Sequence, residues 1–150
     1  MENSWEFKIN LNKFDFGKIE SKVGIKFSDN FKSFIINANG ASPKQKIVTI
    51  SEKKYVLNDI LDFNTSSEYT TEDIYNNLQD IIGNYYPFAR DGFGNYYLIN
   101  TKDNMVEFYD HECCKVISLC SFDEFILCLG VSVGWFFKNL FRFSWYSWWF

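Results

Sequence analysis

The sequence is poor in the residues that build metal sites and catalytic centres. It contains a single histidine, His111, and none of its four cysteines belongs to a Cys-x-x-Cys pair. Adjacent Cys113 and Cys114 on a strand would point to opposite faces, which disfavours a shared zinc site. The pair Gly92-x-Gly94 is too weak a pattern to indicate a phosphate-binding loop. The sequence therefore predicts no metal, no cofactor and no catalytic residue.

We also expect no segment that would direct the chain out of the cytoplasm. Residues 1–10 contain no basic region followed by an apolar run, so we expect no secretory signal. The apolar run Phe125–Phe137 is shorter than the ~20 residues that a membrane-spanning helix needs. Lys138 and Arg142 interrupt its continuation. The simplest interpretation of the cysteines is therefore reduced thiols in a cytoplasmic protein.

Acidic residues are absent after residue 124 and concentrated before it. The formal net charge is −4, but all 19 acids and 13 of the 15 bases lie within residues 1–124. An acidic body argues against direct nucleic-acid binding, because that binding depends on neutralising phosphates with basic side chains. It would suit a basic protein partner through electrostatic steering. The default alternative is that mild acidity only keeps the protein soluble.

Hydrophobic spacing predicts helices at both ends of the chain and in its middle, with strands between them. The predicted helices begin at Phe16, at Ser28 or Asp29, at Thr70 or Thr71, and at Ser121. The predicted strands are Ile47–Ile50, Tyr55–Leu57, Tyr86–Ala89, Asn95–Asn100, Met105–Tyr109 and Lys115–Leu119. This order indicates an α+β fold, in which an antiparallel sheet packs against N-terminal, middle and C-terminal helices.

Short segments along the chain occur in the order expected for a known family. They are Ile19-Glu20 with Gly24-Ile25, Asp29–Gly40, Tyr86–Ala89 with Asp91-Gly92 and Gly94-Asn95, and Asp110-His111-Glu112 with Ser121-Phe122 and Glu124-Phe125. On these segments the chain resembles the SUKH superfamily, the Smi/Knr-like proteins of bacterial toxin–immunity loci and fungal cell-wall regulators. Ser28 stands where a proline is common in that family. We expect a SUKH-like domain over residues 1–129 and an atypical tail over residues 130–150.

The resemblance implies a non-enzymatic immunity protein that binds and neutralises a cognate protein toxin, in some cases a nuclease. An alternative stays open, a regulatory or scaffolding domain without a toxin partner, as among the fungal members. An enzyme that uses His111 with Cys113 or Cys114 has little support, because no orienting acid or oxyanion donor can be assigned from sequence. Neither the toxin nor the oligomeric state follows from the fold.

Candidate partner contacts are acidic or lie beside the single histidine. They are Glu68, Glu72, Asp73, Asp91, Asp110, His111 and Glu112. Glu72 and Asp73 have a simpler explanation, because the helix dipole favours acids in the first turn of a helix. For His111 a structural or interfacial role is preferred over a metal site, which would need further ligands.

The segment 91–95 is predicted to be a structural turn rather than a ligand loop. Gly92 and Gly94 allow positive φ angles, and the side chains of Asp91 and Asn95 can hydrogen-bond to the local backbone. This turn identifies the scaffold, and the partner surface is expected on neighbouring residues.

The tail, residues 130–150, contains four of the five tryptophans and no acid. Three interpretations stay open: an interfacial membrane anchor, an extra helix packed on the domain or a second copy, and an end that is foreign to the family. Membrane contact is not favoured, because Lys138 and Arg142 interrupt the apolar run. Trp and basic residues do suit a membrane interface. An exposed aromatic patch of this density would be an aggregation hazard in any of the three cases.

Overall fold

The computed structural model of the protein describes residues 5–65 and 70–130. The helices are α1 (Phe16–Val23), α2 (Asp29–Ala38), α3 (Thr71–Ile82) and α4 (Phe122–Cys128). The strands are β1 (Trp5–Glu6), β2 (Ser42–Pro43), β3 (Ile47–Ile50), β4 (Lys53–Val56), β5 (Asp59–Ile60), β6 (Tyr86–Arg90), β7 (Tyr96–Asn100), β8 (Met105–Asp110) and β9 (Lys115–Ser121). Helices packed with antiparallel sheets confirm the predicted α+β class.

Five of the described strands form the main sheet, in the order β5-β6-β7-β8-β9, and every neighbouring pair is antiparallel. Two short ladders, β1-β2 and β3-β4, accompany it. Because successive strands reverse direction, the turns 91–95 and 111–114 lie at one end of the sheet, here called the two-turn end. The turn 101–104 lies at the opposite end, here called the capped end.

Side-chain caps start three of the described helices. The Asp15 carboxylate accepts from the Lys18 N–H at 3.2 Å, and the Ser28 hydroxyl accepts from the Phe31 N–H at 3.2 Å. At α4 the Ser121 hydroxyl accepts from the N–H of Glu124 at 3.1 Å. The predicted starts at Ser28 and Ser121 are therefore confirmed, with the capping geometry that favours these residues.

Helix α3 begins at Thr71 without such a cap. Thr70 occupies the cap position, but its hydroxyl donates to the Asp73 carboxylate at 3.3 Å instead of accepting from a backbone N–H. The hydroxyl of Thr71 lies 2.8 Å from that of Tyr86. This contact ties the start of α3 to the first residue of β6.

One predicted strand begins earlier than its residue pattern suggested. The polar stretch 51–54 was expected to connect two strands, whereas β4 starts at Lys53, which pairs with Ile50. Ser51 and Glu52 have φ angles of 49° and 68°. Two consecutive positive φ angles make a two-residue hairpin turn, which brings the next residues directly into the ladder.

The core lies where α2 and α4 meet the main sheet, and its centre is aromatic. Phe31 contacts Phe88 and Phe122 edge to face, with ring centroids 5.5 Å and 5.4 Å apart. Phe125 contacts Phe88 at 5.6 Å. These four rings are fully buried, and edge-to-face pairs add to the stabilisation gained by burying them. Phe34 and Ile35 of α2 are also buried, and Phe16 of α1 is half-buried.

Asn104 holds the capped end against two helix starts. Its φ angle is 58°, and its carbonyl accepts from the Phe122 N–H at 2.9 Å, at the first residue of α4. Its side-chain oxygen accepts from the Ser28 hydroxyl, the cap of α2, at 3.3 Å. A single turn residue therefore connects the sheet to α2 and α4.

No helix formed by residues 5–65 and 70–130 is long and apolar enough to cross a membrane. The three interpretations concern the tail, residues 130–150, of which residues 131–150 lie outside the described ranges. The candidate contact Glu68 also lies outside them.

Candidate functional site

The turn 91–95 is organised from within by the carboxylate of Asp91. One carboxylate oxygen accepts from the N–H groups of Phe93 and Asn95 at 2.8 Å and 3.1 Å. The other accepts from the side-chain amide of Asn95 at 2.7 Å. Asp91 is only 7% exposed, so this carboxylate shapes the turn and does not face solvent. A carboxylate that receives three N–H bonds in this way is a strong local organiser.

The glycines of this turn serve two different needs. Gly92 and Gly94 have φ angles of 89° and 94°, in the region that favours glycine. A Cβ atom on Gly94 would also lie 3.1 Å from two ring atoms of His111, tighter than ordinary van der Waals contact. Glycine at this position therefore allows the turn 91–95 to approach the turn 111–114.

Asn95 and His111 join the two turns. The side-chain oxygen of Asn95 accepts from the backbone N–H of His111 at 3.0 Å and lies 2.8 Å from its Nδ1 atom. An amide oxygen only accepts, so the second contact places a hydrogen on Nδ1. The same Asn95 side chain donates to Asp91. One amide therefore links the organiser of the first turn to the second turn.

Asp110 organises the second turn in a similar manner. One oxygen of its carboxylate accepts from the N–H groups of Glu112 and Cys113, at 3.0 Å and 3.4 Å. Cys114 has a φ angle of 51°, and its thiol donates to the His111 carbonyl at 3.7 Å. Cys113 and Cys114 thus lie in a turn, so the argument that a strand would point them to opposite faces does not apply to them.

The chemistry of these thiols does not resemble that of a nucleophile. The negative charge of Asp110 is the main cause that raises the pKa of Cys113, which lowers its thiolate fraction at neutral pH. The Cys114 thiol is directed to the backbone carbonyl of His111, and the His111 ring is engaged by Asn95. No hydrogen bond within residues 5–65 and 70–130 joins the His111 ring to a cysteine. A thiol activated by this histidine would need that bond.

The two turns present one continuous surface to solvent. Phe93 is 70% exposed at the apex of the first turn, and all residues of the second turn are exposed. We call this the two-turn surface, formed by Phe93, Asn95, His111, Glu112, Cys113 and Cys114. It brings together three of the predicted contacts, Asp110, His111 and Glu112, with Asp91 beneath them. Phe93 was not a predicted contact. Its place between two glycines in a turn was the available signal.

The other predicted acidic contacts lie on a different part of the molecule. Glu72 forms an ion pair with Lys22 of α1 at 2.8 Å, and Asp73 accepts from Thr70. Both residues belong to the first turn of α3. The ion pair of Glu72 connects α3 to α1. Both acids also interact favourably with the helix dipole at the start of α3.

A buried polar cluster was missed by sequence reasoning, which interpreted Asn39 only as part of a helix stop. The Asn39 amide donates to the Asp62 carboxylate at 2.9 Å and accepts from the Phe63 N–H at 2.8 Å. The Asn64 side chain accepts from the N–H groups of residues 12 and 13 at 2.9 Å and 3.0 Å. These amides hold loop backbone in place, as buried polar groups must, so the cluster has a structural role.

One cleft among the described residues lies at the opposite end of the main sheet from the two turns. A shallow cleft of about 510 Å³ is lined by Ile25, Ile81, Asn84, Asn100 and Lys102 among others. It lies at the capped end, away from the two-turn surface. Within residues 5–65 and 70–130 no three histidine, cysteine or acidic side chains are grouped as a metal site requires.

Comparison with known proteins places this architecture in a family. The model of a family described as SMI1-KNR4 cell-wall, SUKH_6, matches residues 15–126. No curated protein matches the chain. The matched range begins at the cap of α1 and ends inside α4, so it contains the main sheet and both turns of the two-turn surface.

Proposed function

We propose that this chain, which belongs to the SMI1-KNR4 (SUKH) family, is an immunity protein that binds and neutralises a cognate protein toxin. The observation that carries the proposal is the family match over residues 15–126, which spans the main sheet and its helices. Members of this family are often immunity proteins of bacterial toxin systems. Neutralisation by such a protein requires a stable binding surface and no catalysis.

The arrangement of the described residues supports a binding role. The best organised exposed region is the two-turn surface, where Asp91 and Asp110 fix the backbone and Asn95 joins the two turns. A preorganised surface loses little conformational entropy on binding, which favours tight association. We further propose that the protein acts in the cytoplasm, uses no cofactor and binds no nucleic acid directly.

The excess of acidic residues in the body of the chain supports a positively charged protein partner. All 19 acids of the chain lie within residues 1–124, against 13 bases. A net negative body increases the association rate with a positively charged protein, and this effect weakens as salt screens the charges. Many toxins that act on nucleic acids need basic surfaces to bind phosphates. The immunity protein would therefore suit a nuclease toxin.

The second candidate function is a regulatory or scaffolding domain without a toxin partner. One observation favours this regulatory function: the matching family is described as SMI1-KNR4 cell-wall, and not by a toxin. This alternative predicts several partners and no toxin gene beside the gene for this chain. Immunity predicts one partner, bound with one-to-one stoichiometry.

The test is co-expression with the protein encoded by the adjacent gene. Growth of cells that express the toxic domain should be restored by this chain, and the two proteins should co-purify in a one-to-one complex. A truncated chain that lacks β6 to α4 serves as the negative control, since it removes most of the main sheet. Growth arrest that the full chain does not relieve, with no complex formed, would contradict the proposal.

A further inference from the structure

Phe93 is the most conspicuous apolar side chain of the two-turn surface. It is 70% exposed and, among the described residues, has no aromatic ring contact. The turn needs glycine at positions 92 and 94, but the Phe93 side chain serves none of its hydrogen bonds, which use only the Phe93 backbone N–H. A polar residue would suit the solvent-exposed turn at least as well. The fold therefore does not explain why an aromatic residue occupies this position, and a role in binding would explain it.

The backbone at Phe93 is fixed, which distinguishes this residue from an apolar residue on a mobile loop. The Asp91 carboxylate holds the N–H groups on both sides of Gly94, at Phe93 and at Asn95. Asn95 then anchors the turn to His111 of the second turn. Aromatic anchors dominate binding energy at many protein interfaces, and a backbone that is already fixed loses little further motion when the ring enters a pocket.

An unpaired acid lies in the second turn, next to His111. Within residues 5–65 and 70–130 the Glu112 carboxylate has neither a hydrogen bond nor an ion pair, whereas the Asp110 carboxylate is engaged by the backbone. Nearby, the charge of Asp59 is balanced by Arg90 at 2.7 Å. The free charge on the second turn is therefore negative, and it complements a basic residue on a partner.

We propose that the two-turn surface is the toxin-docking site, with the Phe93 ring entering an apolar pocket of the toxin and Glu112 facing a basic residue at the pocket rim. This inference rests on the proposed immunity function and names the face that carries it out. The occupant is the toxin itself. A second copy of this chain is an alternative outcome that the experiment separates.

The first experiment measures affinity for the inactivated toxic domain of the adjacent gene product, by calorimetry with purified proteins. Phe93→Ala should weaken binding by about tenfold or more, as truncation of a buried aromatic anchor does. Phe7→Ala is the matched control, since Phe7 is 79% exposed and lies next to β1. It should change the affinity by less than about twofold. Glu112→Gln should weaken binding by a few fold and reduce its salt dependence.

The second experiment uses the cysteines of the chain as reporters. Cys113 and Cys114 are exposed in the two-turn surface, and Cys128 is exposed at the end of α4. In the toxin complex, maleimide labelling of Cys113 and Cys114 should slow by about tenfold or more if the interface excludes solvent there. Labelling of Cys128 should be unchanged. Mass spectrometry of the digested protein separates the cysteines.

These outcomes distinguish the inference from the function on which it rests. If the wild-type chain binds no toxin, the proposed function fails. If the wild-type chain binds, but Phe93→Ala binds equally well and Cys113 and Cys114 stay reactive, the docking face is elsewhere and only the inference fails. Protection of Cys113 and Cys114 in the chain alone, rising with its concentration, would assign the surface to a second copy and overturn the inference as well.

Discussion

The two ends of the main sheet are held in different ways, and they serve different purposes. At the capped end, Asn104 receives hydrogen bonds from the caps and starts of α2 and α4, which carry the aromatic core. At the two-turn end, Asp91, Asp110 and Asn95 fix two turns to each other, and no helix of residues 5–65 and 70–130 covers them. Stability is therefore concentrated at the capped end, and an ordered but open surface is left at the two-turn end.

Replacing one phenylalanine by alanine at each end should give the largest difference, measured as the loss in free energy of unfolding. Phe122→Ala removes a fully buried ring that contacts Phe31 and Phe34, and should lower the free energy of unfolding by about 3–5 kcal/mol. Phe93→Ala should change it by less than about 0.5 kcal/mol, because its ring is exposed. Urea denaturation followed by circular dichroism measures both. Equal losses for the two variants would contradict the division of roles.

The rate at which cysteines react with maleimide should also differ between the two ends, since each end carries cysteines. Burial raises the pKa of Cys120, near the capped end, to about 12, so its thiol stays protonated from pH 7 to 9. We expect maleimide to label Cys120 at least about 100-fold more slowly than Cys114, because access requires opening of the fold. Raising the pH from 7 to 8 should leave Cys120 protected, because burial raises its pKa so far above that range.

The result is read by mass spectrometry after a short labelling pulse. Cys128 serves as a control, because it is exposed but lies in a helix and not in a turn. Burial also raises its pKa. Labelling of Cys120 at the rate of Cys114 in the folded protein would mean that the capped end opens as readily as the turns.

A smaller effect is expected from the organiser of the first turn. Asp91→Ala leaves the N–H groups of Phe93 and Asn95 without their acceptor and should cost about 1–3 kcal/mol of stability. Asp91→Asn keeps one acceptor oxygen and should cost less. Urea denaturation measures the stability, and hydrogen exchange at residues 93 and 95 measures the local order. If exchange there stays slow in Asp91→Ala, the carboxylate does not fix the turn.

Local features of this comparison could be predicted from the sequence. The caps at Ser28 and Ser121 and the turn between Gly92 and Gly94 depend on residues only a few positions apart. Short-range hydrogen bonds of this kind are encoded by residue type and spacing. The α+β class followed in the same way, from the order of helical and strand periodicities.

Long-range partners could not be predicted in this way. Asn104 meets Ser28 across 76 positions, and Asn95 meets His111 across 16. The second contact exists because β7 and β8 pair Tyr96 with Tyr109, and a register shifted by one residue would separate the two turns. Register depends on how the whole sheet packs, so the joined surface and the exposed position of Phe93 beside it appeared only in the structure.

The smallest expected effect tests the link between the turns. His111→Ala removes the contact between Nδ1 and the Asn95 oxygen but keeps the backbone N–H bond, so stability should fall by only about 0.5 kcal/mol. Asn95→Ala removes both bonds to His111 and also the amide bond to the Asp91 carboxylate, so it should cost more, about 1–3 kcal/mol.

The more informative readout for His111→Ala is toxin affinity. A looser second turn must be ordered again on binding, which we expect to weaken the complex by about threefold, mainly through faster dissociation. Surface plasmon resonance with the immobilised toxic domain measures this rate, and Phe7→Ala is again the control. Unchanged stability together with unchanged dissociation would show that the His111 ring adds nothing to the backbone N–H bond that joins the two turns. The link between the turns would then rest on the Asn95 oxygen and the His111 N–H alone.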